Sequence, residues 1–281
     1  MLSLELNKTE MPKVLPIVGA VREGKGQKTV FVKCNDDVKP GQFYMVWIPG
    51  IDAKPFAVSY KSKGELGFTS QIVGPFTAEF DRLEKGDKVG LFGPYGNSFT
   101  LKENACVVAG GVGMSSVSTL IDFLKNPEII YGARSKEHLI YTKRFKNKRI
   151  TYCTDDGSFG RKGFTTEALE EALKNSNNKK SSKKDKNKIK IVYTCGPEVM
   201  MKKVAEICEK YKVGCEVSME RHMSCGFGIC GKCALNGKFV CVDGPVFNAK
   251  ELKKLSDFGK EARLKSCRKV PLSEYHAPKA H

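Results

Sequence analysis

Four cysteines, Cys225, Cys230, Cys233 and Cys241, fall within seventeen residues and are spaced C-x4-C-x2-C with a fourth following. Thiolates are soft ligands, and this is the plant-type spacing that holds a [2Fe-2S] cluster. Glycines between the ligands let the loop turn so that backbone N–H groups face the cluster sulfurs. A structural zinc site also takes four thiolates, but zinc modules more often show two C-x2-C knuckles, and only one is present. Disulfides are a third reading. Cysteines so close together, with no secretory pattern at the N-terminus, lead us to expect metal ligation in a reducing compartment.

A second set of residues suits nucleotide binding. After the apolar run Val107–Ala109 comes Gly110-Gly111-Val112-Gly113-Met114-Ser115-Ser116, followed by a helical pattern. Such a glycine turn lets the backbone approach a pyrophosphate, and the helix N-terminus supplies free N–H groups and a favourable dipole. The motif is not the full G-x-G-x-x-G fingerprint, and taken singly it reads equally as loop chemistry. Its companions are Cys195-Gly196-Pro197, Asp155 and Asp156 in Thr154–Ser158, and Arg134 in Gly132–Ser135, each at the end of an expected strand. In an open parallel sheet ligands lie at that edge; otherwise the aspartates are turn formers and Arg134 a solvated charge. Lys54-Pro55-Phe56-Ala57 and Gly74-Pro75-Phe76-Thr77 are expected against a flavin: a basic residue pairs with phosphate, Pro-Phe flanks a planar ring, and a threonine donates to phosphate oxygen. Without that context they read as strand and turn, and Gly93-Pro94-Tyr95-Gly96-Asn97 reads as a tight turn.

The elements that must position these residues follow two rhythms. Six short apolar or alternating runs, Val14–Val21, Thr29–Lys33, Phe43–Ile48, Phe56–Tyr60, Phe68–Val73 and Lys88–Phe92, predict a small antiparallel β-barrel. From Ala105 onward, strand-like runs at Ala105–Ala109, Ile129–Tyr131, Arg149–Cys153 and Ile189–Thr194 alternate with helical patterns at Ser115–Leu124, Thr165–Leu173 and Glu198–Tyr211. That alternation predicts a Rossmann-like parallel α/β domain. The segment from Val213 has little room for a core and depends on its metal or its neighbours. We therefore expect a barrel over 1–100, an α/β domain over 101–212 and a cluster domain with tail over 213–281, with Asn248–Lys265 partly helical.

Composition excludes some functions. The 281 residues carry a formal net charge of +17 and are 41% hydrophobic. No apolar run reaches the roughly 18–20 residues that span a bilayer, so a soluble cytoplasmic protein without membrane contact is expected. Lys174–Lys190 holds eight lysines, one aspartate and a single apolar residue; it reads as a solvated loop, and without arginines or interleaved aromatics it gives no sign of specific nucleic-acid binding. Cys34, Cys106, Cys153, Cys208 and Cys267 read as buried small hydrophobes or free thiols.

With these pieces in order, the chain resembles the ferredoxin-reductase-like electron-transfer subunit family of dihydroorotate dehydrogenase B over roughly residues 14–247. The specific matches are Cys215-Glu216-Val217-Ser218-Met219-Glu220, then Met223-Ser224-Cys225-Gly226, and Val242-Asp243-Gly244-Pro245-Val246-Phe247 after the cluster motif. The resemblance implies an FAD-binding barrel, an NAD-binding domain and a C-terminal [2Fe-2S] domain. It also implies a hetero-oligomer with an FMN-containing subunit that oxidises dihydroorotate in pyrimidine biosynthesis, whose electrons pass through the cluster and FAD to NAD⁺. By carry-over, Lys54, Pro55, Phe56, Ala57, Gln71, Ile72, Val73, Phe76 and Thr77 line FAD, and the four cysteines hold the cluster. Gly110, Gly111, Gly113, Asp155, Cys195 and Gly196 are expected at NAD. No catalytic acid or base is expected.

Three departures stand out. Lys54 and Ala57 replace the family's arginine and serine, removing a planar bidentate contact and a hydroxyl; the interval from Cys233 to Cys241 is short; and the lysine segment and the tail after Phe247 look like additions. The rivals are an NAD(P)H–ferredoxin or sulfide oxidoreductase subunit of the same architecture, and a noncatalytic zinc-stabilised interaction module.

Overall fold

A computed structural model describes residues 11–178 and 188–275. Most of the lysine segment, residues 179–187, lies outside the described residues. The six N-terminal runs become β1 (Lys13–Gly24), β2 (Gln27–Lys33), β3 (Phe43–Ile48), β4 (Asp52–Ser62), β5 (Glu65–Gln71) and β6 (Lys88–Tyr95), closed into an antiparallel barrel in the order β1-β2-β5-β4-β3-β6. Alternation along the strands gives the barrel two different faces. Tyr44, Val46, Phe56 and Val58 fill its interior with Phe68 and Leu91. Phe43 and Met45, paired in register with Ala57 and Pro55, point outward and are buried in a different core, one shared with the α/β sheet and the cysteine segment.

One end of the barrel is plugged by α1 (Pro75–Arg82), which buries Phe76 and Phe80. The Phe80 ring stacks on Phe56 at 4.8 Å. Residues 74–77 thus form a helix start, where sequence pattern alone suggests strand and turn. Proline suits the first helical position, and the Thr77 hydroxyl accepts from the N–H groups of Val73 and Gly74 at 2.8 and 3.0 Å.

The second half is doubly wound. Strands β7 (Ala105–Gly110), β8 (Glu128–Ala133), β9 (Ile150–Thr154), β10 (Arg161–Lys162), β11 (Ile191–Cys195) and β12 (Gly214–Ser218) are parallel, and β15 (Val246–Asn248) joins antiparallel, giving the order β10-β9-β8-β7-β11-β12-β15. The helix α2 (Met114–Phe123) buries Val117, Leu120 and Ile121 against one face of the sheet. On the other face α3 (Thr165–Asn178) and α4 (Glu198–Lys210) contribute Leu169, Leu173, Val204 and Ile207. The chain leaves β7 in one direction and returns at β11 on the other side, so a crevice opens between those two strands at their carboxyl ends.

Between β12 and β15 the chain makes an excursion containing only the short pair β13 (Ala234–Leu235) and β14 (Lys238–Phe239). After β15 come α5 (Ala249–Leu252), the hairpin β16 (Glu261–Arg263) and β17 (Lys269–Pro271), and α6 (Leu272–Tyr275). A boundary at 212/213 would cut β12 from its partner β11. We propose instead that β12 and β15 belong to the sheet and that the cluster segment is an insertion between them. Barrel and sheet are joined firmly: the Arg144 guanidinium lies 3.7 Å from the Tyr60 ring centroid, and both Arg144 and Ser118 donate to the Ser59 carbonyl, at 2.8 and 2.6 Å. Among the described residues no helix is long and apolar enough to cross a membrane.

Candidate functional site

The cysteine segment owes its shape to turns and side-chain anchors. Leu235 and Val240 are buried beside Cys233 and Cys241, which fixes the second half of the motif in the core. The Cys233 and Cys241 sulfurs lie 3.3 Å apart. Cys230 donates its backbone N–H to the Cys225 sulfur at 3.5 Å. Burial works to raise the Cys225 thiol, but N–H groups of Cys230, Phe227 and Ile229 and the facing Cys230 side chain outweigh it and bring it down to about 7. Contact between the two lowers Cys233 and raises Cys241. Thiolates in this range are ready metal ligands.

The thiols come as two pairs, Cys225 with Cys230 and Cys233 with Cys241. Among the described residues no three His, Cys, Asp or Glu side chains converge as a single ion requires. A [2Fe-2S] cluster has two metal centres and takes two thiolates at each, whereas structural zinc draws four ligands to one point. The donor set therefore fits the cluster.

This loop presses on the outward face of the barrel. Gly226 has φ +87, and a Cβ there would sit 2.7 Å from Met45 Cγ and 3.0 Å from the Tyr95 ring. Gly93–Asn97, expected as a tight turn, instead carries the end of β6, where Tyr95 pairs with Phe43, because the strand continues along β3 before the chain leaves the barrel. Asn97 donates through Nδ2 to the carbonyls of Asp243 and Val246 at 3.0 and 2.8 Å, and its Oδ1 accepts from Val246 N–H at 2.9 Å. The barrel end thereby clamps the exit of the cysteine segment.

The flavin segments meet at the α1 end of the barrel. The Lys54 ammonium lies 5.8 Å from the Phe76 ring centroid and is ion-paired with Asp52. Pro55 and Ala57 occupy the outward register, beside the cysteine loop, whereas Phe56 points into the barrel, so its ring is a core element and not a flank for a planar ligand. Ile72 and Val73 are exposed just before α1, and Gln71 closes β5 opposite Gln27. The Thr77 hydroxyl donates to the Gly74 carbonyl at 2.9 Å, so its proton is committed locally. What remains for an anion is the Lys54 ammonium and the first N–H groups of α1, which lack intrahelical acceptors.

At the β7/β11 crevice the two glycine segments touch through their backbones. A Cβ on Gly113 would meet the Cys195 carbonyl oxygen at 2.6 Å, and one on Gly196 would meet Gly110 Cα at 2.9 Å. Gly111, at φ +54, has no atom within 4 Å of a notional Cβ and faces open space. The structure thus gathers Gly110, Gly111, Gly113, Cys195 and Gly196. Asp155 stands at the same edge but two strands away, exposed, with its N–H donated to the Ala133 carbonyl at 3.2 Å.

Sequence reasoning missed several residues. The Cys195 thiol lies 3.6 Å from Glu220 Oε1, and burial raises the Glu220 carboxyl. Glu198 and Arg221 form a buried ion pair, and Glu198 also accepts from Gly259 N–H at 2.7 Å. No spacing links positions 198, 221 and 259.

Comparison with known proteins gives the family. The family described as the iron-sulfur cluster binding domain of dihydroorotate dehydrogenase B matches residues 220–253. A probable dihydroorotate dehydrogenase B (NAD⁺) electron transfer subunit from Methanocaldococcus jannaschii is 43% identical, covering 93% of this chain and 99% of its own. The chain belongs to the dihydroorotate dehydrogenase B electron-transfer subunit family. Among solved structures, an NADH-dependent reduced ferredoxin-NADP oxidoreductase superimposes with TM-score 0.71 at 25% identity, covering 90% of this chain and 94% of that one. Phthalate dioxygenase reductase shares the fold, with TM-score 0.57 at 17% identity over 75% and 69% of the two chains. The dihydroorotate dehydrogenase B family assignment bears out the ferredoxin-reductase-like architecture, the oxidoreductase class and the cofactor set of FAD, [2Fe-2S] and NAD(H).

Proposed function

We propose that this chain is the electron-transfer subunit of an NAD-dependent dihydroorotate dehydrogenase, carrying electrons from the FMN of a separate catalytic subunit to NAD⁺. The cluster, when bound, supplies one-electron transfer and the flavin exchanges electron pairs with nicotinamide. The observation that carries the reading is the seat of the paired thiols: Gly226 rests on Met45 and Tyr95, so the cluster loop adjoins the barrel face that bears Pro55 and Ala57.

The chain's own residues have positioning roles. The four cysteines hold the cluster, Asn97 fixes the loop to the barrel, Lys54 and the α1 N-terminus hold the flavin diphosphate, and the Gly110–Gly113 and Cys195–Gly196 backbones leave room for the NAD pyrophosphate. The partner docks on the exposed rim of the loop, where Phe227, Ile229 and Val242 are 43%, 78% and 55% exposed. Apolar side chains gathered around a redox loop suit a surface that another protein covers.

Alone, the protein should reduce an artificial acceptor with NADH. Dihydroorotate-dependent NAD⁺ reduction should appear only when the FMN-containing subunit is added. The same activity from this chain alone would overturn the assignment. Failure with the cognate partner, together with NADH-dependent reduction of ferredoxin, would favour the second reading suggested by the similarity to the ferredoxin-NADP oxidoreductase.

A further inference from the structure

We propose that Lys265, at the tip of the C-terminal β16–β17 hairpin, is a further cofactor-binding residue that completes the cationic grip on the flavin diphosphate. The inference rests on the flavin reading above and assigns a role to a segment outside the barrel. Lys54 is the only basic residue of its β4 motif at this site, and its ammonium is paired with Asp52. A lysine is a point charge that cannot grip two oxygens in a fixed fork as arginine does. With its charge offset by Asp52, it is a weak partner for a diphosphate carrying two negative charges.

The hairpin restores the balance. Lys265 Nζ lies 3.9 Å from Asp52 Oδ2, on the carboxylate that Lys54 also contacts. The trio Lys54, Asp52 and Lys265 therefore carries net positive charge beside the start of α1, where Lys54 sits over Phe76. Lys265 is 70% exposed and free to swing toward an anion. The neighbouring hairpin cations are engaged elsewhere: Arg268 pairs with Glu274 at 2.5 Å, and Lys269 with Asp257 and Glu261 at 2.5 and 2.8 Å.

The base of the hairpin is anchored to the cluster side of the molecule. Asp257 N–H donates to Asn236 Oδ1 at 2.7 Å, and Arg221 donates to the Glu261 carbonyl at 3.3 Å. The tip stays ordered because Arg263 donates to the Cys267 carbonyl at 2.9 Å and Leu264 N–H to the Arg268 carbonyl at 2.9 Å. A segment rooted beside the cluster thus ends at the diphosphate end of the flavin, and bound FAD would tie barrel, cluster segment and tail together.

The test measures FAD release from the full-length holoprotein, by recovery of flavin fluorescence on dilution, across a salt series. Lys265→Glu should speed release by about tenfold, the scale of losing a charge-assisted hydrogen bond, and flatten the salt dependence. Lys265→Arg should behave as wild type, and Asp52→Asn should slow release. Lys63→Glu, at the exposed β4–β5 turn, is the charge control, with iron content and circular dichroism reporting folding. Release from Lys265→Glu no faster than from Lys63→Glu, with FAD still bound to the wild type, would overturn the role of Lys265 alone. A wild-type protein that retains no FAD would instead overturn the flavin reading on which the role rests.

Discussion

In the proposed reading the cysteine loop and the β7/β11 crevice each hold a redox partner near the barrel, and they do so in opposite ways. In the loop, ligands that all fall within 17 residues are set by local spacing, and the surrounding chain has almost no regular structure. At the crevice, Gly110 at the end of β7 and Gly196 just after β11 are 86 positions apart and meet because the two strands are neighbours in the sheet. A metal site tolerates irregular backbone because strong ligand bonds define it. A pyrophosphate site needs bare backbone and empty space, which only a rigid sheet edge can keep open. Damage to the loop should therefore remove a cofactor and leave the fold, whereas damage at the crevice should threaten the fold itself wherever the glycines touch.

The largest effect is expected at the cluster. Anaerobically purified protein should contain about two iron and two acid-labile sulfide per chain. Cys230→Ser should abolish the visible iron–sulfur absorption while FAD remains bound, as measured by absorbance after gel filtration. Loss of flavin together with the cluster would mean that the loop is not separable from the barrel.

At the crevice the two kinds of glycine should part company. Gly113→Ala drives a methyl group into the Cys195 carbonyl and should cost about 1–3 kcal/mol of stability by denaturant unfolding. Gly111→Asp points into open space, so the fold should survive with a strain of about 1 kcal/mol at its positive φ. Its carboxylate would repel a pyrophosphate, and the Michaelis constant for NADH should rise about tenfold in a diaphorase assay. An unchanged constant would place the nicotinamide nucleotide elsewhere.

The clamp between the regions gives a third, smaller effect. Asn97→Ala leaves Val246 N–H and the Asp243 and Val246 carbonyls without their side-chain partner, which at this part-exposed place should cost about 0.5–1.5 kcal/mol. The cluster should then be lost faster under chelation while FAD release is unchanged. Equal acceleration of both would show that Asn97 supports the barrel instead.

The smallest effect tests whether the barrel stands independently of the loop. Burial works to raise Asp36, but the Lys13 ammonium at 2.7 Å and the Tyr44 hydroxyl at 2.7 Å hold its carboxyl below the usual range. A depressed folded pKa contributes stability that is present above the unfolded value of 3.8 and is lost as pH falls through the lower folded value. Asp36→Asn should therefore flatten the acid limb of the stability profile below about pH 4 and leave iron content unchanged at neutral pH.

Much of this was legible from residues alone, because it depends on short-range pattern. The C-x4-C-x2-C spacing, the six alternating runs and the strand–helix rhythm each express a period or a loop length within a few dozen residues. Gly74–Thr77 was misleading for the same reason: a four-residue window cannot distinguish a turn from the first turn of a helix that only pays its way by burying Phe76 and Phe80.

By itself, then, the order of amino acids determined the donor set, the two-rhythm architecture and the family motifs. Tertiary structure alone decided that β12 and β15 bracket the cluster segment within one sheet, that Asn97 ties that segment to the barrel, that Gly113 is packed while Gly111 is open, and that Lys265 reaches Asp52. Those facts join positions tens to hundreds of residues apart. Nothing local encodes them, because a side chain's neighbours across a sheet or at a hairpin tip are set by the packing of whole elements around their shared cores.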